Sequence, residues 1–333
     1  MTAAATGARP GWGVLGTGLA ARLMTADLVS SGHRVAAVAS RTQDAAEAFA
    51  DAHGIERAYG TYEALLSDEA VDIVYVATPH SSHAEHASAA LRHGKHVLVE
   101  KAFTLNRAEA ASIAELAAAC GLMVMEAMWT RFLPHMDFVR SAVRRGDIGD
   151  VTHVRAVHAQ ALPTDGAHRL NRPDLGGGAL LDLGVYPVSF VHDLLGAPTA
   201  VEAHAEFTDT GVDSEISIRF EYSGGAVAEG YASSRRAADN SAVVTGTEGT
   251  IRIDSVFYQA SRVTVVDGRG REISHFDRSV PGRGMQFQAA EMERAIADGD
   301  DDSPLMPIAQ SVEIMGVLDA VRERIGLRYP QEA

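Results

Sequence analysis

The feature that most constrains this chain is a short apolar run that breaks on glycines and then turns alanine-rich, GWGVLGTGLAARLM, beginning at Gly11. Gly16, Gly18 and Ala21, with Thr17 between the glycines, fit Gly-x-Gly-x-x-Ala at a strand-to-helix turn. The first glycine permits the tight turn, the second lets backbone approach a pyrophosphate, and the small third residue lets helix and strand pack closely. The helix that follows offers unpaired N–H groups to phosphates. The motif gains weight from its setting. RVAAVAS (34–40), VDIVYVAT (71–78), HVLVEK (96–101) and LMVMEAM (122–128) read as further strands, separated by helical stretches such as TQDAAEAFADAHG and SSHAEHASAALRHG that end on glycine. Nearly continuous apolar strands alternating with helices indicate a parallel sheet covered on both faces. Residues 1–128 are therefore expected to form a doubly wound, Rossmann-type dinucleotide-binding domain.

The end of the second strand bears on which dinucleotide. An acid there bonds the ribose 2′-hydroxyl of NAD; here the chain reads Ser40-Arg41, which suits a 2′-phosphate, so NADP is favoured over NAD. Composition excludes other classes. With 44 acids against 29 bases the formal charge is −15, and no basic run is present to meet a nucleic acid. Cys120 is the only cysteine, so no disulfide forms within the chain. The opening MTAAATGARPGWG lacks the apolar core of a secretion signal, and no stretch nears the ~20 apolar residues of a membrane span; a cytoplasmic location is expected.

Past residue 128 the pattern changes. MWTRFLPHMDFVRSAVRRGDIGD reads as a helix ending near Gly146, followed by β-like runs at 151–159, 200–208, 214–222, 226–234, 241–255 and 262–268. Several alternate polar with apolar residues, which suits a mainly antiparallel sheet with one open face. From Met285 two helical segments flank DGDDDSPLMP. Residues 129–333 are expected to be an α+β domain for substrate binding and dimerisation, its last helices packing back on the first domain. Within it, GGGALLDLGVYPVSFVHDLLG predicts a helix from about Ala179 to Leu195. Asp182 and Tyr186, four apart, then share a face near its positive N-terminal end, where carboxylate and phenolate are both favoured. The three glycines are expected to admit a ligand close to the backbone.

Several motifs fall in order at the carboxyl edge of the parallel sheet: ATPHSSH (77–83), GKHVLVEKAFTLN with Glu100 and Lys101, MEAMWTRFLP (125–134), and the triple-glycine stretch. Together they resemble the glucose–fructose oxidoreductase, inositol dehydrogenase and rhizopine-catabolism (Gfo/Idh/MocA) family. Tyr186 and MEAMWTRFLP look most like its dimeric dihydrodiol dehydrogenase branch, which includes NADP-linked xylose dehydrogenases. The resemblance implies hydride transfer between NADP and a hydroxyl-bearing carbon of a cyclic sugar, polyol or trans-dihydrodiol. It implies Lys101 as the catalytic lysine, Asp182 as the acid that orients substrate, and Tyr186 as general acid/base. Thr78, Pro79, His83, Glu100 and Lys101 are then expected at the cofactor, while Trp129 and Arg131 read equally as cofactor contacts or as packing between domains. A nearby ammonium would lower the phenol toward working pH. The resemblance also implies a homodimer. A keto-sugar reductase and a non-catalytic NADP-binding regulator are the alternatives. One departure stands out: Ala102 follows Lys101 where the family has proline, so a trans bond is expected there. His80, His83 and His86 recur every three residues, but no acid or cysteine set accompanies them and no metal is expected. His153, His158 and His168 are further candidates for the substrate pocket.

Overall fold

The structure, a computed structural model, describes residues 9–332; most of the opening segment read above for a secretion signal lies outside them. Strands β1 (Gly11–Leu15), β2 (Arg34–Ala39), β3 (Arg57–Tyr59), β4 (Ile73–Val76), β5 (His96–Glu100) and β6 (Val124–Ala127) form a parallel sheet in the order β3-β2-β1-β4-β5-β6. This is the doubly wound order whose strand reversal, beside β1, opens a crevice at the carboxyl edge. Helices α1 (Leu19–Ser30), α2 (Gln43–His53), α3 (Tyr62–Leu66), α4 (His83–Arg92) and α5 (Arg107–Cys120) connect the strands. Apolar side chains bury both faces: Val14, Ile73, Val74, Val97 and Leu98 are fully enclosed. Strand β3, only three residues long, was not legible as a strand.

Helix α6 (Pro134–Arg145) leads into a second sheet, with Pro134 in its first turn and Gly146 as a left-handed cap. Its strands are β7 (Val151–Ala159), β8 (Ala200–Phe207), β9 (Asp213–Glu221), β10 (Val227–Ser233), β11 (Ala242–Gly246), β12 (Gly249–Ile253), β13 (Val263–Asp267) and β14 (Glu272–Phe276). All neighbours run antiparallel except β7 and β10. Residues 241–255, read as one run, fold as the hairpin β11–β12, and β14 is an addition. One face of the sheet buries Val154, Ile216, Phe220 and Ala228 beneath α7 (Val185–Leu195). The other carries a charged ladder in which Arg219 lies 3.7 Å from Glu221 and 4.0 Å from Glu229.

The chain then returns to the first sheet. Glu293 on α8 (Gln286–Asp298) accepts from the Trp12 indole at 2.8 Å and meets His33 at 2.7 Å. Asp27 on α1 accepts the backbone N–H groups of Arg283 and Met285. Helix α9 (Ile308–Ile325) packs against α5 and β8. No helix among the described residues is long and apolar enough to cross a membrane.

Candidate active site

A cleft of about 520 Å³ runs from the turn after β1 to the start of α7's segment. On one side lies the glycine turn. Gly16 adopts φ +107°, and a Cβ there would come within 2.6 Å of the Ala77 carbonyl, so no other residue fits. Gly18 caps α1 without a side-chain bond and has open space where its Cβ would point, while Ala21 is fully buried against the strand. The first turn of α1 carries no acid, so the positive helix end faces the cleft uncompensated. Ser40 meets Thr17 hydroxyl to hydroxyl at 3.4 Å, and the exposed Arg41 has no ion pair among the described residues. Uncapped N–H groups, a glycine-lined approach and a free cation fit a phosphorylated dinucleotide.

On the other side, Lys101 follows β5 directly. Its ammonium donates to the Asp182 carbonyl at 2.7 Å and to Asp182 Oδ1 at 3.3 Å, and lies 5.2 Å from the Tyr186 ring centroid. Arg169, which sequence reasoning passed over, donates from Nη2 to both Asp182 oxygens at 3.1 and 3.3 Å. Its only signal was an arginine in the loop leading to the glycines. Burial pushes the Asp182 carboxyl up, but Lys101 and Arg169 overcome it and hold the group well below the usual carboxylate range. Burial likewise opposes the charge on Lys101, yet Asp182 holds its pKa above the usual lysine value. Both are therefore ionised at neutral pH.

Tyr186 is 7% exposed. The Trp129 indole N–H donates to its Oη at 2.9 Å, with His158 edge-on at 4.7 Å and Tyr258 at 5.2 Å. The expectation that Lys101 brings the phenol down is corrected. Burial raises the phenol's pKa, and the lowering effects of Lys101 and the Trp129 bond do not cancel it. Sequence shows the ammonium and not the depth of burial.

The helix expected from Ala179 is corrected too. Leu180–Gly184 is a π-helical turn that passes into α7. Its end is capped from another strand: Asp213 Oδ2 accepts the Leu180 N–H at 2.6 Å. The neighbouring glycines serve this packing and not a ligand. A Cβ on Gly178, at φ +122°, would sit 2.2 Å from Asp213 Oδ1, and one on Gly177 would sit 2.6 Å from the Leu170 carbonyl. Burial raises Asp213 to about 7.

Other expected residues divide. Thr78, Pro79 and Glu100 line the cleft, Glu100 accepting from the Tyr75 hydroxyl. His83 also borders it, but its ring nitrogens face the Thr78 and Ala102 carbonyls at 2.9 and 3.0 Å, and burial pushes it down to about 3. It ties the loop after β4 to the loop after β5. His80 does the same for Gly176 and Lys101. The Lys101–Ala102 bond is cis, against the trans bond expected from the alanine. Arg131 does not reach the cleft as a cofactor contact: it is 2% exposed and spends its donors on Ser189, Asp193 and Gln310. Of the two, Trp129 meets the site, through Tyr186.

Comparison with known proteins settles the relationship. Residues 11–128 match the oxidoreductase family with an NAD-binding Rossmann fold, and residues 136–252 match the GFO/IDH/MocA C-terminal domain. A trans-1,2-dihydrobenzene-1,2-diol dehydrogenase of Mus musculus is 34% identical, covering 96% of this chain and 98% of the relative. The chain belongs to the Gfo/Idh/MocA oxidoreductase family. A D-xylose 1-dehydrogenase (NADP(+)) of Hypocrea jecorina is 33% identical over 96% of this chain and 93% of its own. Among solved structures, a 3-ketoreductase from Actinomadura kijaniata in complex with NADP and TDP-benzene superposes with TM-score 0.84, at 28% identity and over 96% and 98% of the two chains. The protein is accordingly an NAD(P)-dependent oxidoreductase acting on CH–OH groups.

Proposed function

We propose that this Gfo/Idh/MocA enzyme transfers hydride between NADP and a hydroxyl-bearing carbon of a cyclic sugar or trans-dihydrodiol, with Tyr186 as general acid/base. The observation that carries the reading is that Lys101 and Asp182 line the cleft that holds the glycine turn, with the Lys101 ammonium bonded to Asp182 and 5.2 Å from the Tyr186 ring centroid. Gly16, Gly18 and the α1 N-terminus would hold the pyrophosphate, and Ser40 with Arg41 the 2′-phosphate, which favours NADP over NAD. The bound nicotinamide supplies the hydride chemistry.

The chain's own residues manage the proton. In oxidation, Tyr186 Oη takes the substrate's hydroxyl proton as the carbon gives up its hydrogen; in reduction it returns that proton to the carbonyl oxygen. Lys101 steadies the charge on that oxygen and on the phenolate. Trp129 fixes Oη in place through its N–H. Asp182 keeps the ammonium charged and aimed. The same phenol, protonated at neutral pH, serves as acid in the second reading, a keto-sugar reductase, because hydride transfer is reversible. A non-catalytic regulator would have no need of this ion-paired set.

In this reading residues 1–128 bind the cofactor and 129–333 bind substrate and a second copy of the chain, residues 1–8 and 333 lying outside the described part. We also propose that a second copy of the chain packs symmetrically on the outer face of the second sheet, which carries the charged ladder, and that the enzyme works in the cytoplasm. Light scattering tests the pairing: a species of one chain's 35.3 kDa would overturn it.

The deciding experiment follows NADP reduction by absorbance across pentoses, hexoses, anhydrosugars and trans-dihydrodiols, with NADPH oxidation by the matching ketones in parallel. Turnover of at least one pair is expected. No turnover in either direction overturns the reading.

A further inference from the structure

The segment that carries Asp182 enters through three glycines, the least stiff backbone a chain can have. Their N–H groups are tied to the preceding loop, Gly176 to Pro173, Gly177 to Arg172 and Gly178 to Leu170. The Gly177 carbonyl is tied to a distant part of the chain, the residues that follow α9. Tyr329, 1% exposed, donates to it from Oη at 2.7 Å, and no other hydrogen bond reaches that carbonyl among the described residues. One residue on, the Gly178 carbonyl accepts the Asp182 N–H at 3.3 Å. Gln331 Nε2 donates to the Asp174 carbonyl at 2.6 Å, just ahead of the glycines. Glu332 accepts from Asn106 Nδ2 at 3.1 Å, in the loop that runs on from Lys101. The segment is anchored in turn on α9, where Arg322 holds Glu332 with both Nη atoms at 2.6 and 2.9 Å and lies 5.2 Å from the Tyr329 ring centroid.

Residues 329–332 thus fasten two loops to each other: the one after β5, which starts at Lys101, and the one that enters the π-helical turn at Asp182. These are the loops whose side chains meet in the Lys101–Asp182 pair. Without the Tyr329 hydroxyl the Gly177 carbonyl is left buried and without a donor, and a glycine peptide has no side chain to resist turning away. That rotation passes to the Gly178 carbonyl and from there to the Asp182 N–H. We propose that Tyr329 is a positioning residue for the reaction, and that residues 329–332 form a clasp that sets Asp182 against Lys101. The proposal rests on the dehydrogenase reading above for its effect on turnover, and on the Lys101–Asp182 contact alone for its effect on the ammonium.

The chain's lysines are Lys95 and Lys101 alone, so an amine-acylating reagent reads the contact directly. Lys95, bonded to the Asp68 and Val71 carbonyls ahead of β5, is the internal reference. Acetic anhydride labelling with peptide mass mapping is expected to show Lys101 reacting about three- to tenfold faster relative to Lys95 in Tyr329→Phe than in the parent, because an ammonium whose carboxylate has drifted gives up its proton more readily. Asp182→Asn, which removes the carboxylate outright, sets the upper limit. In turnover, kcat of Tyr329→Phe falls about 5- to 50-fold with the Kd for NADP unchanged. In an Asp182→Asn background the same change costs at most about twofold further. Glu332→Ala opens the clasp from its other end and is expected to move labelling and kcat in the same direction by a smaller factor, which keeps the test open if Tyr329→Phe does not fold. A lower melting temperature with the parental labelling ratio and kcat means that Tyr329 only packs, and an undiminished loss of kcat in the Asp182→Asn background means that it acts elsewhere; either overturns the proposal. A parent without turnover on any substrate overturns the dehydrogenase reading, and the clasp is then decided by labelling: a parental ratio in whichever variant folds overturns it.

Discussion

On the nucleotide side of the cleft the chain presents backbone: a glycine turn, an uncapped helix end, and open space beside Gly18. On the side of Lys101 and Asp182 it presents side chains that are paired with one another, Lys101 and Arg169 with Asp182, and beyond them Trp129 with Tyr186 and Tyr75 with Glu100. The first wall offers backbone donors; the second is a network of paired side chains. The difference teaches where mutations act alone and where they act together. Backbone donors are indifferent to most side-chain changes, whereas members of a charged network alter one another's protonation.

The largest effect is expected at Tyr186. Tyr186→Phe should lower kcat by about 10²–10⁴-fold while leaving NADP affinity unchanged, since in the proposed reading the phenol exchanges a proton with substrate and does not touch the dinucleotide. Single-turnover kinetics on folded variant check this, and parental turnover would reduce the phenol to packing. Lys101→Met should follow, with kcat down by about 10- to 1000-fold. Because the ammonium lowers the phenol's pKa against burial, its loss moves the pH optimum for oxidation upward. Combined with Asp182→Asn it should cost less than the sum of the two, a coupling that pH–rate profiles of the three variants measure. On the nucleotide wall, Arg41→Ala should weaken NADP by at least about tenfold and leave NAD unaltered, because in the proposed reading only the 2′-phosphate meets that cation. Fluorescence titration of both dinucleotides decides it.

The smallest effect concerns stability. Asp213 is raised to about 7 by burial, against about 3.9 in an unfolded chain. The folded protein keeps a proton that the unfolded chain gives up, so stability is full below about pH 4, declines as pH rises through 7, and levels off above it. Asp213→Asn leaves an acceptor for the Leu180 N–H and removes the decline. Its melting temperature should match the parent's near pH 4 and exceed it at pH 8 by a few degrees, at about 2–4 °C per kcal/mol for domains of roughly this size. Thermal melts at the two pH values measure the difference, and a variant less stable at both would assign Asp213 a purely structural bond.

The nucleotide wall was largely legible in the sequence, because it depends on local rules: apolar strands, glycines at a turn, helix ends. Only β3 escaped, being three residues long and half-exposed. Lys101, Asp182 and Tyr186 were legible as residues but not as electrostatics. The π-helical turn depends on Asp213, more than thirty positions away, and the upward shift of Tyr186 depends on burial among segments distant in sequence, which outweighs the lowering effect of the Trp129 bond. Arg131 stayed between two roles because an arginine beside a conspicuous motif carries no sign of which way it turns, and here it takes the packing role, toward Ser189 and Asp193. Arg169 went unread because its loop is fixed by Asn171 and by glycine packing, neither of which has a sequence period.

The stitching of α8 to the first sheet bears on how such chains can be recombined. Trp12, His33 and Asp27 belong to the nucleotide-binding half, yet their partners are Glu293 and the backbone of Arg283 and Met285. A chimaera that joins the first 128 residues of this chain to the remainder of a relative presents those three side chains to a foreign helix. The Asp27 carboxylate then lacks its donors unless the relative repeats the Gly282 approach, where a Cβ would lie 2.2 Å from Asp27 Oδ1. A cofactor-swapping graft that carries residues 280–298 along with the first half keeps those partnerships, and the exchangeable unit is thus discontinuous in sequence.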